Sequence, residues 1–327
     1  MTMKKLYMGQ PLMDTMNYQG TIFSILSDEK KIMPWVYNNF IQLRYVIDWE
    51  VYCYDNQDII VETCPFIKKN IIDRVLVEKK WGSFVEFIKD CIDTDSYVWC
   101  HLDRFYIPAH SVYKKENQFH ETLVLGYDEN VIYIADNLAN GKYQVTECTY
   151  DEINDAFRSV DSPYDHITRV ILLKKKEEDV YELNIAQIVD GIRRHLYSKP
   201  SFDPVNYNVL SIYGLDVYKY LISRFQHHKH KMNKLDIRPF HLIWEHKKIM
   251  ILRLKELAKR GYLQDSSDVI SRYTEIEQKT LILRNTVIKY NVSQSSSLLD
   301  KIESELRFVH SEERSSMEDL LNNLNML

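Results

Sequence analysis

The sequence predicts an α+β protein in two parts, helices with an antiparallel sheet first and helices alone afterwards. Three observations carry that reading. Short segments rich in Val, Ile, Tyr and Trp are confined to the first half. Apolar residues at alternating spacings of three and four fill the second half. Charge divides at the same place: residues 1–173 hold 17 basic and 26 acidic side chains, and residues 174–327 hold 25 and 21. The charge cluster Lys174-Lys175-Lys176-Glu177-Glu178-Asp179 marks the junction, so the expected domains are 1–176 and 177–327.

The elements follow in order. Polar Asn17 to Gly20 leads into an apolar helix at Thr21–Leu26, for which Asn17 is a good N-cap. Arg44–Tyr54 suits a strand. Ser83 and Glu86 have capping-box spacing, and Phe84, Phe87, Ile88 and Cys91 then share one helical face. Ser96–Leu102 reads as a strand. His120–Tyr127 and Val131–Asp136 form a hairpin about the turn Asp128-Glu129-Asn130. Thr149 and Glu152 cap a short helix, and Ile167–Leu173 is the last strand. Everything beyond the junction is expected to be helical. Ile237–Arg260 ends at Gly261, where a C′ glycine belongs. Tyr273, Ile276, Thr280, Leu283, Val287 and Tyr290 form one seam. Leu299, Ile302, Leu306, Val309 and, after a polar gap, Leu320 form another behind Ser295-Ser296-Ser297. Such spacing is the core of antiparallel packed helices rather than a cofactor box.

Composition removes several classes of function. Of 327 residues, 45% are hydrophobic and 27% charged, a folded balance. With 8 Gly, 8 Pro and neither phosphate-loop motif, a nucleotide cradle is excluded. No run approaches a membrane span, and the Met1–Tyr7 start lacks an apolar signal-peptide core, so a soluble, cytoplasmic protein is expected. Cysteines 53, 64, 91, 100 and 148 contain no C-x-x-C pair and read as reduced, mostly buried thiols. Cys64, before Pro65, is expected at an exposed strand end. The net charge of −5 and the acidic first half argue against nucleic acid. Lys229–Arg260, with 10 basic and 3 acidic residues, suits docking of an acidic carrier protein, although a solvated face accounts for it equally. His227-His228-x-His230 has a metal-like look, but its lysine-rich surroundings repel a cation, so neither metal nor cofactor is expected.

The stretch richest in chemistry is Val98–Pro108, Tyr113, and the hairpin from His120 to Asp136-Asn137. The hairpin register brings His120 within a residue or two of Asp136. A carboxylate there can hold one imidazole tautomer and leave the other nitrogen as a base. A strand histidine beside a surface carboxylate is the plainer alternative.

The string His120-x-x-Leu-Val-Leu-Gly-Tyr-Asp128, followed by Val-Ile-Tyr-Ile-Ala-Asp136, resembles the histidine and aspartate strands of papain-like cysteine enzymes. It resembles especially the branch typified by the butirosin biosynthesis protein H N-terminal domain. Asp103-Arg-Phe-Tyr-Ile-Pro-x-x-x-x-Tyr113 is similar to the segment preceding that histidine. Tyr213-Gly214-Leu-Asp-x-Tyr218 and Trp244-Glu-His246-Lys-x-x-Met250 are similar to helical elements after the core. The resemblance implies a papain-like N-terminal domain in a natural-product or non-ribosomal peptide pathway, with acyl or aminoacyl transfer as its chemistry. It implies His120 as general base, Asp136 as its orienting partner with Asn137 as the fallback, and Gln10 as oxyanion donor. Tyr18, Tyr106, Asn137 and Trp244 are the implied substrate contacts.

One departure weighs heavily. The family's nucleophile is a Cys at the start of the first core helix, where the dipole stabilises a thiolate. Asn17 stands there, with Tyr18 as the one-residue alternative, and neither is an effective nucleophile at neutral pH. Whether the chain is an enzyme is therefore open. One reading is a degenerate, non-catalytic scaffold or binding protein. Another is an amide-forming enzyme in which His120 and Asp136 activate an amine for direct attack on a carrier thioester. A third is a cysteine-protease-like hydrolase with a relocated thiol, and a fourth a helical interaction protein with a vestigial first domain. The expected partners are an acyl or peptidyl carrier protein or a small-molecule amine, and a homodimer through the C-terminal helices is compatible with the pattern.

Overall fold

The computed structural model describes residues 3–139, 141–177, 180–202, 209–228, 234–264 and 266–324. Along the chain these form β1 (Lys4–Lys5), α1 (Asn17–Ile25), α2 (Met33–Asn39), β2 (Leu43–Val46), β3 (Val51–Tyr54), α3 (Gln57–Glu62) and β4 (Ile67–Asp73). Next come α4 (Arg74–Trp81), α5 (Phe84–Asp93), β5 (Tyr97–Asp103), β6 (Phe119–Tyr127), β7 (Val131–Asn137), β8 (Tyr143–Thr149) and α6 (Tyr150–Arg158). The remainder is α7 (Asp165–Thr168), β9 (Arg169–Lys175), α8 (Ile185–Tyr197), β10 (Ser211–Tyr213), α9 (Asp216–His228), α10 (Arg238–Lys259), α11 (Ser266–Ser293) and α12 (Ser296–Asn323). The fold is α+β with antiparallel sheets and a helical C-terminal region. No helix among the described residues is long and apolar enough to cross a membrane.

The chain forms two compact units, residues 1–30 with 63–180, and 31–62 with 181–327. The second unit therefore takes in a segment that sequence reading had assigned, with all of 1–176, to the first domain. The segment's β2 and β3 form a hairpin, not one strand over Arg44–Tyr54, because the chain reverses at Trp49-Glu50, where Glu50 adopts φ 51°. The hairpin pairs with β10, a strand in a region expected to be helical throughout. Gly214, at φ 54°, ends that strand where a Cβ would come within 2.1 Å of the His195 carbonyl oxygen.

In the first unit the sheet order is β4-β9-β5-β6-β7-β8, antiparallel throughout, with β1 added to β6. One side of the core packs α5 and α6 together through stacked rings of Phe84 and Phe157, 3.8 Å apart. The capping box at Thr149 and Glu152 forms. That at Ser83 does not. Asn154 Oδ1 instead accepts from Phe84 N at 3.0 Å and Val85 N at 3.3 Å, so α5 is capped by a residue of α6. The hairpin turn is an Asx turn, with Asp128 Oδ1 accepting from Asn130 N and Val131 N.

In the second unit α10, α11 and α12 run antiparallel to their neighbours. Trp244 donates to Glu277 and Arg284 to His241, while Arg272 pairs with Asp319. The junction around His230 lies outside the described residues. All five cysteines are buried, Cys64 included, since it turns inward at 4% exposure.

Candidate functional site

Helix α1 begins at Asn17, one residue after its extended N-cap Met16. The expectation that Asn17 caps the helix is thus displaced by one residue. Its amide is free for a tertiary role: Asn17 Nδ2 donates to Asp136 Oδ1 at 2.5 Å. Gly20 lets the helix come this close, since a Cβ there would sit 2.6 Å from the Tyr143 ring. Thr21 Oγ1 and Tyr143 OH, 2.8 Å apart, pin the same turn.

Asp136 is fully buried near the end of β7. The pairing of Leu123 with Ala135 sets Thr122 opposite Asp136, and His120 two residues further on. Arg104, just beyond β5, grips the carboxylate with two nitrogens, Nε to Oδ2 at 3.0 Å and Nη2 to Oδ1 at 2.7 Å. Asn137 N donates to Oδ1 at 2.6 Å, and Thr122 Oγ1 to Oδ2 at 3.4 Å. His110 Nε2 lies 3.0 Å from Oδ2 but off the angle for a hydrogen bond, so that contact is electrostatic. Burial alone would raise the Asp136 carboxyl, but His110, His120 and Arg104 outweigh it and hold it well below the usual carboxylate range. Asp136 is an ionised anchor.

His120 Nδ1 is 2.9 Å from Arg104 Nη2, 3.1 Å from Glu121 O and 3.3 Å from Asp136 Oδ1. Arginine can only donate, whereas the two oxygens ask for a hydrogen on that nitrogen. With the Arg104 contact satisfied, Nδ1 accepts and a neutral ring carries its hydrogen on Nε2; with the two oxygens satisfied, Nδ1 carries it and Nε2 is the open lone pair. That nitrogen has no partner among the described residues, and the side chain is 31% exposed. The neighbouring His101 is pushed down to about 3, chiefly by burial, with the Arg74 and Arg169 charges adding to it. The site thus offers one imidazole nitrogen, donor or acceptor by tautomer, beside the Arg104–Asp136 ion pair.

Of the residues singled out from sequence, Asn17, His120, Asp136 and Asn137 meet here. Gln10 does not join them. It is exposed, and its neighbour Gly9 donates to Ser24 O near the far end of α1. Tyr18 is buried in α1. Tyr106 is half-buried with its ring on Phe105 and Lys114, and Trp244 belongs to α10 of the second unit, where it meets Glu277, His241 and Lys248. Arg104, His110 and Thr122 were missed. Arg104 had one signal, a lone arginine next to Asp103 inside the motif segment of an acidic half.

The five thiols are all buried, which weighs against a relocated nucleophile. Burial pushes Cys64 up to about 11 and Cys91, Cys100 and Cys148 up to about 12, and Cys53 rises as well. At each of them burial disfavours the thiolate.

The second unit buries a cluster of its own. Lys247, His246, His195 and Glu313 are all fully buried. Lys247 Nζ bonds to Glu313 and lies 2.8 Å from His246 Nδ1, while His246 Nε2 faces Ile41 O at 2.7 Å. His195 Nδ1 accepts from Leu43 N at 3.3 Å, and its ring stacks on His246 at 4.9 Å. His195, His246 and Glu313 offer atoms within 4.8 Å of one another, the spacing of a metal site. Their fit to a metal is poor on chemical grounds. The Lys247 ammonium already neutralises Glu313 and takes the His246 lone pair, and the His195 tautomer set by Leu43 leaves a hydrogen on Nε2.

No family model and no curated protein matches the chain.

Proposed function

We propose that the first unit is a papain-like domain that has lost its nucleophile and binds an acyl- or carbonyl-bearing ligand without a covalent step. The single observation carrying this reading is the side chain of Asn17, at the head of α1, spent on Asp136 beside His120. A residue in that position cannot accept an acyl group with ordinary facility. The exposed Nε2–H of His120, backed by Arg104, is suited to hydrogen-bond a carbonyl or carboxylate oxygen. A carrier-bound thioester of a natural-product or non-ribosomal peptide pathway is the ligand this reading favours.

A second reading has its own support. Glu121 O and Asp136 Oδ1 both stand within 3.3 Å of His120 Nδ1. If Arg104 turned its hydrogen to Asn137 O, 3.4 Å away, Nδ1 would carry the hydrogen and Nε2 would become a base. An amine could then attack a bound thioester directly, its proton passing to Nε2 and on to the departing thiolate as the C–N bond replaces the C–S bond.

The test is incubation of the full chain with an acyl-pantetheine thioester, with and without an amine. Under the binding reading the thioester binds saturably and persists, His120→Ala weakens binding about tenfold, and intact mass shows no adduct. Amide formation lost in His120→Ala, again without adduct, supports the base reading. An acyl adduct on the native chain refutes both.

A further inference from the structure

β4 is the end strand of the first unit's sheet, with β9 on one side and no strand on the other among the described residues. Its outer edge therefore offers backbone N–H and C=O groups at strand spacing. That edge is open to solvent: Lys68, Asn70, Ile71 and Asp73 are exposed, Ile71 at 59%. Val75 and Leu76, at the start of α4, are more than half exposed as well. Charge gathers at the same place. β4, α4 and β9 carry eight basic and two acidic residues, although their unit as a whole holds 18 basic and 24 acidic. The β4–β9 register sets Lys68 directly opposite Lys174. Like charges facing each other across a ladder repel. Lys174 turns away to donate to Thr94 O at 2.8 Å, whereas Lys68 has no hydrogen bond or ion pair among the described residues.

An open ladder with an unanswered lysine at one end and exposed isoleucine at the other suits an extended peptide of the complementary pattern. We propose that the edge of β4 takes an acidic segment of a partner protein as an added antiparallel strand. Its acidic side chains would stand beside Lys68 and Lys69, and its apolar ones beside Ile71 and Ile72. A second copy of this edge is the poorer occupant, because it would bring two basic clusters together. A polyanion without a peptide backbone would answer the lysines but not the ladder. The inference uses neither His120 nor Asp136, so it stands apart from the reading of that site.

Fluorescence anisotropy of the full chain with the labelled peptide Thr-Val-Val-Thr-Glu-Glu-Thr-Ser tests it. Saturable binding is expected, and a peptide with Lys in place of both Glu should bind about tenfold more weakly. N-methylation at alternate residues should abolish binding in one phase and spare it in the other, since only one edge of the added strand meets β4. The double variant Lys68→Glu/Lys69→Glu should tighten the lysine peptide about fivefold, a gain that a misfolded chain could not give. Binding that survives N-methylation in both phases would reduce the edge to a general cationic surface and overturn the proposal. Equal competition by a single-stranded oligonucleotide of the same charge would do the same. Self-association of the native chain in sedimentation, lost in the double variant, would assign the edge to a second copy instead. Absence of saturable binding by the glutamate peptide would refute the proposal outright.

Discussion

Both units bury a carboxylate against a cation, yet only the Asp136 cluster has a neighbour with a hydrogen-bonding atom in reach of solvent. Asp136 sits at the end of a sheet, ringed by Arg104, Asn17, Thr122 and the Asn137 backbone, and its neighbour His120 keeps Nε2 in reach of solvent. Glu313 sits mid-helix with Lys247 and two stacked histidines, and every member is sealed from water. Burial of charge alone therefore does not mark a ligand site. What differs at His120 is a ring nitrogen without a partner among the described residues, backed by a buried ion pair.

The largest effect expected is in the sealed cluster. Glu313→Leu strands the Lys247 ammonium in an apolar interior and should cost about 3–5 kcal/mol in urea unfolding. The double variant Lys247→Met/Glu313→Leu should recover most of that loss. If the double variant is as unstable as the single, the pair holds more than its own charge, and the contrast drawn above is wrong.

Asp136→Asn comes next, at about 2–4 kcal/mol, because Arg104 loses its counter-charge. Its pH dependence sharpens the comparison. The Asp136 carboxyl is held below its unfolded value near 4, so its contribution is complete above that pH. It fades as pH falls through the folded value. The gap between wild type and Asp136→Asn should be constant above about pH 5 and narrow below pH 4. A gap that widens in acid would contradict an ionised anchor.

Smaller effects separate local from tertiary capping of α5. Asn154→Ala should cost about 1 kcal/mol and Ser83→Ala only a few tenths, the reverse of what capping-box spacing implies. Smallest of all, no cysteine should react with a thiol reagent in the native state, and five should appear in denaturant. One fast-reacting native thiol would reopen the relocated-nucleophile reading.

The polar gap between Val309 and Leu320 shows how the sealed cluster was overlooked. Sequence spacing read it as an interruption of the seam, whereas Glu313, Ser316 and Met317 continue the buried face of α12. On α10 the same holds for His246, Lys247 and Arg253, polar or charged residues at core positions. The pattern itself was a signal: charge on an apolar stripe points to a partner on another helix.

What the sequence by itself determined was local. Helix periods, the hairpin about Asp128-Glu129-Asn130, the Thr149–Glu152 cap and the nearness of His120 to Asp136 all arise within a few residues of chain or one strand register. Tertiary structure alone decided that Asn17 would spend its amide 119 residues away, that Arg104 would bridge Asp136 and the His120 ring, and that residues 31–62 would join the helical unit. Those outcomes depend on long-range contacts between surfaces, and neither a propensity nor a spacing encodes the distance between them.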